Sequence, residues 1–160
     1  MHWENIIVHH SASNWGNALA IDSWHKARGW KGIGYHFVIC NGYVSNEDYE
    51  NGWPFYFLDG SIECGRNIDG DQWVEQNEIG AHALGFNKDS IGICLIHLDS
   101  GYSTSMLKSL VKLCNELSDK FNIEIDNIRG HYEVDSNKPL CPGIDMNFFR
   151  YVLKNNLTYA

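Results

Sequence analysis

"SIGICLIHL", residues 90 to 98, is a near-continuous apolar run with no alternation of polar and apolar positions. It is too short for a helix, and its lack of a polar face reads as a strand covered on both sides. A strand buried on both faces needs helices above and below its sheet. The stretch therefore predicts an α/β domain with one central mixed sheet flanked by helices.

The rest of the chain supplies those parts. "ENIIVHH" (4–10) is a β-branched run bounded by polar residues and reads as a second buried strand. "GYHFVIC" (34–40) and the short "NIRGH" (127–131) are further strands. Within "FYFLDGSIECG" (55–65), Asp59-Gly60 predicts a hairpin of two short strands. Asn17 to Arg28 suits a helix stopped by Gly29. Leu107, Leu110, Val111, Cys114, Leu117 and Phe121 recur at helical spacing and define an amphipathic helix. "DMNFFRYVLKNNL" (145–157) reads as a terminal helix capped by Asp145. The polar stretch from Asn41 to Asn51 reads as an inserted, irregular loop. The whole of 1–160 is expected to form a single domain.

Charge narrows the function. The net charge is −8, with only 12 Lys and Arg and no basic cluster to neutralise phosphates, which argues against nucleic acid and anionic membranes as partners. No apolar run approaches the roughly 20 residues that span a bilayer. The five cysteines, Cys40, Cys64, Cys94, Cys114 and Cys141, are an odd set without a CxxC pair. They are read as mostly reduced and buried, and not as a disulfide framework. Cys94 and Cys114 fall at core positions. Cys141 differs, because it sits in the Pro-containing loop of "GHYEVDSNKPLCPGID" (130–145).

In sheet domains of this kind, sites gather where loops leave the strand ends. Two predicted strands end in histidine, with His9 after "IIV" and His131 after "NIRG". With Cys141 from the adjoining loop, two imidazoles, a thiolate and an open fourth position would suit a catalytic zinc ion. The residues alone leave other roles open: a satisfied core histidine for His9, a capping role for His131 and a packed thiol for Cys141. Alternation along a strand turns His10 away from His9 and His36 away from Tyr35, so His10 and His36 are assigned structural roles.

Five segments, "IIVHHSAS", "GIGYHFVI", "DGSIECGR", "EIGAHALGFNKDSIGICLI" and "GHYEVDSNKPLCPGID", resemble in order those of the zinc N-acetylmuramoyl-L-alanine amidases. That superfamily includes phage lysozyme-type amidases and peptidoglycan recognition proteins. The resemblance implies His9, His131 and Cys141 as zinc ligands and Tyr35 as the hydroxyl that supports an oxyanion. It also places His82 beside the substrate groove, either in contact with substrate or held by structural hydrogen bonds. The implied reaction is hydrolysis of the amide between N-acetylmuramic acid and the L-alanine of the stem peptide. Two departures stand out. Phage members often carry a catalytic lysine two residues before the cysteine ligand, where this chain has Pro139, with Lys138 one position earlier as a catalytic candidate. Another branch has a general-base glutamate where this chain has Cys94.

The alternative on this fold is a non-catalytic peptidoglycan-binding module, in which the cysteine ligand is often lost. Retention of Cys141 and Tyr35 favours the enzyme. A thiol hydrolase using Cys141 and His131 is a weaker rival. Trp24, Trp30, Trp53 and Trp73 are candidates for a sugar-stacking platform. "MHWENIIVHH" lacks the basic and apolar regions of a secretory signal. The expectation is a monomeric, bacteriolytic endolysin made in the cytoplasm that acts on cell-wall peptidoglycan after release.

Overall fold

The computed structural model describes residues 1–99 and 101–160. Its centre is one five-stranded mixed sheet made by β1 (Asn5–His10), β2 (Phe37–Asn41), β3 (Asp59–Cys64), β4 (Ser90–Leu95) and β5 (Ile128–Gly130), in the order β3-β2-β4-β1-β5. β1 runs parallel to β4 and β5, β2 runs parallel to β4, and β3 is antiparallel to β2. Every residue of β4 is buried, as its unbroken apolar run required. Ile91, Ile93 and Leu95 join the core beneath the helices α3 (Thr104–Phe121) and α5 (Met146–Lys154). Cys94 joins a second cluster with Val38, Cys40 and Ile21 of α1 (Ala18–Ala27).

Local chemistry sets the helix ends. Asn17 caps α1 by accepting from the Ala20 amide at 2.8 Å, and Gly29 follows with φ +86°. Asp145 caps α5 by accepting from the amides of Asn147 and Phe148 at 3.0 and 3.1 Å. Along α3 the inward stripe is Met106, Leu110, Val111, Leu113, Cys114, Leu117 and Phe121. Arg150 of α5 grips Glu133 through two nitrogens at 2.8 and 2.9 Å and donates to the Ile128 carbonyl at 2.9 Å. Glu133 also accepts from the Gly130 amide at 2.8 Å, so this fork ties α5 to the corner after β5. All five cysteines are free and only Cys64 is exposed.

Three expectations are corrected. The residues before Asp59 form a 3₁₀ turn, Tyr56–Leu58, and β3 pairs with β2 instead of making a local hairpin. Gly60 is required there for another reason: a Cβ on it would lie 2.7 Å from the Ser105 carbonyl oxygen, so it allows α3 to approach the sheet edge. The polar stretch 41–51 is not irregular throughout, because it holds the short helix α2 (Asn46–Asn51). Ser45 and Asp48 form a reciprocal capping box and Gly52 closes α2, yet no residue of α2 is buried, so no apolar stripe announced it. Finally, "NIRGH" stops being strand at Gly130, and His131 opens a one-turn helix, α4 (His131–Val134).

His36 precedes β2 and is fully buried. Its Nδ1 accepts from the Gly92 amide at 2.9 Å and its Nε2 donates to the Glu78 carbonyl at 2.6 Å. Glu78 is itself buried, and its carboxylate accepts from the amides of Asp69 and Glu75 at 2.8 and 2.9 Å. Together the two side chains fix the loop that leads from β3 towards β4.

Burial lowers the His36 pKa from 6.5 to about 4. Between those values the unfolded chain binds a proton that the folded chain refuses, so stability falls as pH drops through this window. At ~1.4 kcal/mol per pKa unit the effect of this one group is about 3 kcal/mol. Urea denaturation between pH 7 and 4 should therefore show a smaller loss in His36→Asn, whose amide oxygen can still accept from Gly92. An identical pH dependence in both proteins would contradict this account.

Candidate metal centre

β1, β4 and β5 run in parallel, so their C-terminal ends open on one edge of the sheet. Val8 pairs with Gly130, which sets the next residues, His9 and His131, side by side. Their rings lie 4.4 Å apart between centroids. The 132–141 loop then returns: the Tyr132 amide donates to the Cys141 carbonyl at 2.8 Å, and the His10 amide reaches the Cys141 Sγ at 3.4 Å. As a result one ligand atom from each of His9, His131 and Cys141 lies within 4.8 Å of the other two. Among the described residues no other trio of His, Cys, Asp or Glu converges in this way.

The protonation chemistry of the three suits a metal. Desolvation pulls the His9 pKa well below 6.5, and the neighbouring His82 and His131 add to the shift. His131 is also lowered, first by burial, against the opposing pull of Asp135. Both imidazoles are thus neutral at physiological pH and have lone pairs to give. Burial pushes the Cys141 thiol up to about 11, with the His10 amide pulling the other way. A thiol held protonated is a poor nucleophile on its own, which weighs against the thiol-hydrolase alternative. A metal would displace that proton on binding.

Which nitrogen faces the trio follows from the other one. His9 Nε2 is hydrogen-bonded to His82 Nδ1 at 2.9 Å, and His131 Nε2 faces Asp135 Oδ2 at 3.9 Å. That leaves Nδ1 of each ring for a ligand. Tetrahedral zinc, with bonds near 2.1 and 2.3 Å, sets its donor atoms about 3.5 Å apart. Small side-chain rotations cover the difference, so the residues fit the ion.

Tyr35 stands beside the trio, its ring 5.1 Å from that of His9. Burial raises its pKa well above 10, so the hydroxyl keeps its proton, and the Cys94 thiol lies beside it. Lys138 is exposed, and its charge reaches the site, adding to the lowering of His9 and His131 and opposing the rise of Cys141. His82, which the resemblance sets beside the groove, is buried, and both of its ring nitrogens are hydrogen-bonded, one to His9 and one to Ser90. His10 accepts from the Ala12 amide at 2.9 Å, in keeping with a structural role.

Of the four candidate tryptophans, Trp30 is linked to the site: it is exposed and its ring lies tilted against His25 at 4.5 Å, and His25 lies 5.6 Å from Tyr35. Asp135 was missed because its position four residues after His131 matters only once α4 is known. The cavity of about 280 Å³ between Asn41, Tyr43, Asp59 and Tyr102 contains none of these groups.

Two neutral imidazoles and a thiol converging on one another, with a protonated hydroxyl next to them, form the constellation of a mononuclear metallohydrolase. Comparison with known proteins makes the class specific. A sequence model of the N-acetylmuramoyl-L-alanine amidase family matches residues 1–144. The endolysin of Escherichia phage T7 is 30% identical over 95% of this chain and 87% of its own length. Among solved structures, the N-acetylmuramoyl-L-alanine amidase LysC from Clostridium intestinale is 30% identical with a TM-score of 0.67, over 98% of this chain and 88% of that one. Drosophila PGRP-LB is 25% identical with a TM-score of 0.65, over 99% and 87% of the two chains. The chain belongs to the N-acetylmuramoyl-L-alanine amidase family and is a peptidoglycan hydrolase. No helix among the described residues is long and apolar enough to cross a membrane.

Cobalt(II) reports directly on thiolate ligation. Titrating it into metal-free protein should give a thiolate charge-transfer band that saturates at one equivalent, and Cys141→Ser should lose the band while keeping its circular dichroism. An undiminished band in that variant would remove Cys141 from the ligand set.

Proposed function

We propose that the chain is a zinc-dependent N-acetylmuramoyl-L-alanine amidase of the endolysin type, with His9, His131 and Cys141 holding the ion. The observation that carries this reading is the convergence of those three ligand atoms within 4.8 Å. All three come from one chain, and a monomer is part of the proposal. Similarity to phage endolysins supports action on the cell wall after release from the cytoplasm.

The reaction adds water to the carbonyl carbon of the lactyl amide, breaks its C–N bond and leaves a lactyl carboxylate and the free amine of L-alanine. The chemistry supplied by a bound zinc ion is polarisation of that carbonyl and a lowering of a water pKa toward ~7. The protein's own groups do the rest. Tyr35, kept protonated by burial, donates to the oxygen on which negative charge develops. Lys138 brings a positive charge near the trio and can assist there or at the departing amine. Cys94 cannot take the place of a general-base carboxylate, because burial holds its thiol well above 9. Trp30, exposed beside His25, offers a flat apolar wall to the substrate.

Mass spectrometry of digested sacculi should detect free stem peptides with new N-terminal alanine, and uncut glycan strands. Tyr35→Phe removes only a hydroxyl and should lower turnover by ~10²-fold or more. Lys138→Ala should cost less, since the lysine is solvated and one residue out of the family register. If Lys138→Ala is inactive and Tyr35→Phe is normal, the oxyanion donor has been misassigned.

A further inference from the structure

His82 is set where a ligand imidazole could be steered, and its surroundings dictate how. Its Nε2 lies 3.3 Å from the Ser90 carbonyl oxygen and 3.4 Å from Ser90 Oγ. The carbonyl can only accept. The Ser90 hydroxyl spends its proton on the Phe86 carbonyl at 2.6 Å, so towards His82 it too can only accept. His82 Nε2 must therefore carry a proton. The ring is walled off from water, and no carboxylate is hydrogen-bonded to it among the described residues, so a second proton would create an uncompensated buried charge. Its Nδ1 is left as a bare lone pair, 2.9 Å from His9 Nε2. His9 must then donate through Nε2, which strips Nδ1 of its proton and turns that atom towards His131 and Cys141.

The ring is also clamped. A Cβ on Gly92 would lie 2.6 Å from His82 Cγ, and one on Gly80 would lie 2.6 Å from His82 Cδ2, so the imidazole packs directly on the backbone of two glycines. The His82 and Ala83 amides both donate to Asn87 Oδ1, at 2.8 and 2.9 Å, which holds the loop that carries it. Gly92 belongs to β4 and pairs with Ile7 of β1, two residues before His9. The clamp and the ligand are thus parts of one sheet.

We propose that His82 is a positioning residue: a fixed hydrogen-bond acceptor, anchored on Ser90, that sets the tautomer and ring orientation of His9 so that Nδ1 is presented for metal binding. This rests on the zinc reading above only for its consequence. The tautomer itself is a property of the metal-free protein. Acceptors behind ligand histidines are commonly worth 10- to 100-fold in metal affinity.

Two measurements test it. In metal-free protein, two-bond ¹H–¹⁵N correlation of the histidine rings should find His9 protonated at Nε2 and bare at Nδ1. A proton on His9 Nδ1 overturns the proposal. Zinc affinity, measured by competition with a chromophoric chelator, should fall on the order of 10- to 100-fold in His82→Leu, which has no acceptor. It should recover to within a few-fold of wild type in His82→Asn, whose Oδ1 occupies the position of Nδ1. Wild-type affinity in His82→Leu overturns the proposal, as does equal loss in both variants when both stay folded. If His82→Leu does not fold, the ring correlation in the native protein decides. If native protein takes up no zinc, the metal reading fails while the ring correlation still decides the role of His82.

Discussion

The parallel pairing of β1 with β5 is the constraint from which the site follows. It is a short ladder of three residue pairs, Ile6 with Ile128, Ile7 with Arg129 and Val8 with Gly130, yet it spans more than a hundred residues of sequence. Because the strands run the same way, whatever follows each of them leaves from the same edge, and both are followed by an imidazole. A slip of one residue would turn His9 to the opposite face and put Val8 in its place. Register is held by burial: Ile6 and Val8 lie at 0% exposure in the core beneath α3 and α5, and moving them to the other face would break that core. The burial that stabilises the sheet is thus also what aims His9.

The third proposed ligand depends on different forces. Cys141 lies in a loop, and its position comes from the Tyr132 amide donating to its carbonyl, its own amide donating to the Lys138 carbonyl and the His10 amide donating to its Sγ. The corner beneath that loop is fixed by the Arg150–Glu133 fork, which joins α5 to β5 and α4. Phe149, Val152 and Leu153 seat α5 in the core, so a helix beyond the 1–144 family match still supports the residues that carry the chemistry. Truncating Phe149 alone would be expected to cost about 3–5 kcal/mol.

Much of this was legible in the sequence because one period dominated each segment. The unbroken apolar run of β4, the helical stripe from Leu107 to Phe121, and the Asp145 cap all form in the structure much as their local chemistry dictates. What escaped was set by partners distant in sequence. Asp59-Gly60 has the chemistry of a hairpin turn, but Gly60 answers to the close approach of α3, and β3 finds a better partner in β2. The helix α2 had a capping box but no apolar face, so periodicity was blind to it. The family resemblance put His82 beside the groove and left substrate contact and structural hydrogen bonding both open. Its depth became visible only when Gly80 and Gly92 were seen to admit its ring against their backbone.

The two histidines proposed as ligands differ in how they are held, and the difference divides the labour at the site. His9 sits on a central strand at 1% exposure, backed by a ring that is itself wedged against the sheet. His131 begins a one-turn helix at the edge, and its Nε2 faces Asp135 at 3.9 Å, too far for a hydrogen bond. A donor fixed to the sheet and two donors carried by the 131–141 segment give the site an inner wall built on β1 and an outer wall built on the α4 corner and its loop. Tyr35 belongs to the inner wall, beside His9 and Cys94, where burial keeps its proton in place. Lys138 belongs to the outer wall and is solvated. Charge stabilisation is strongest where donors need no reorganisation at the moment of reaction. The inner wall meets that condition, which is why Tyr35, rather than the mobile ammonium of a lysine side chain, is given the oxyanion.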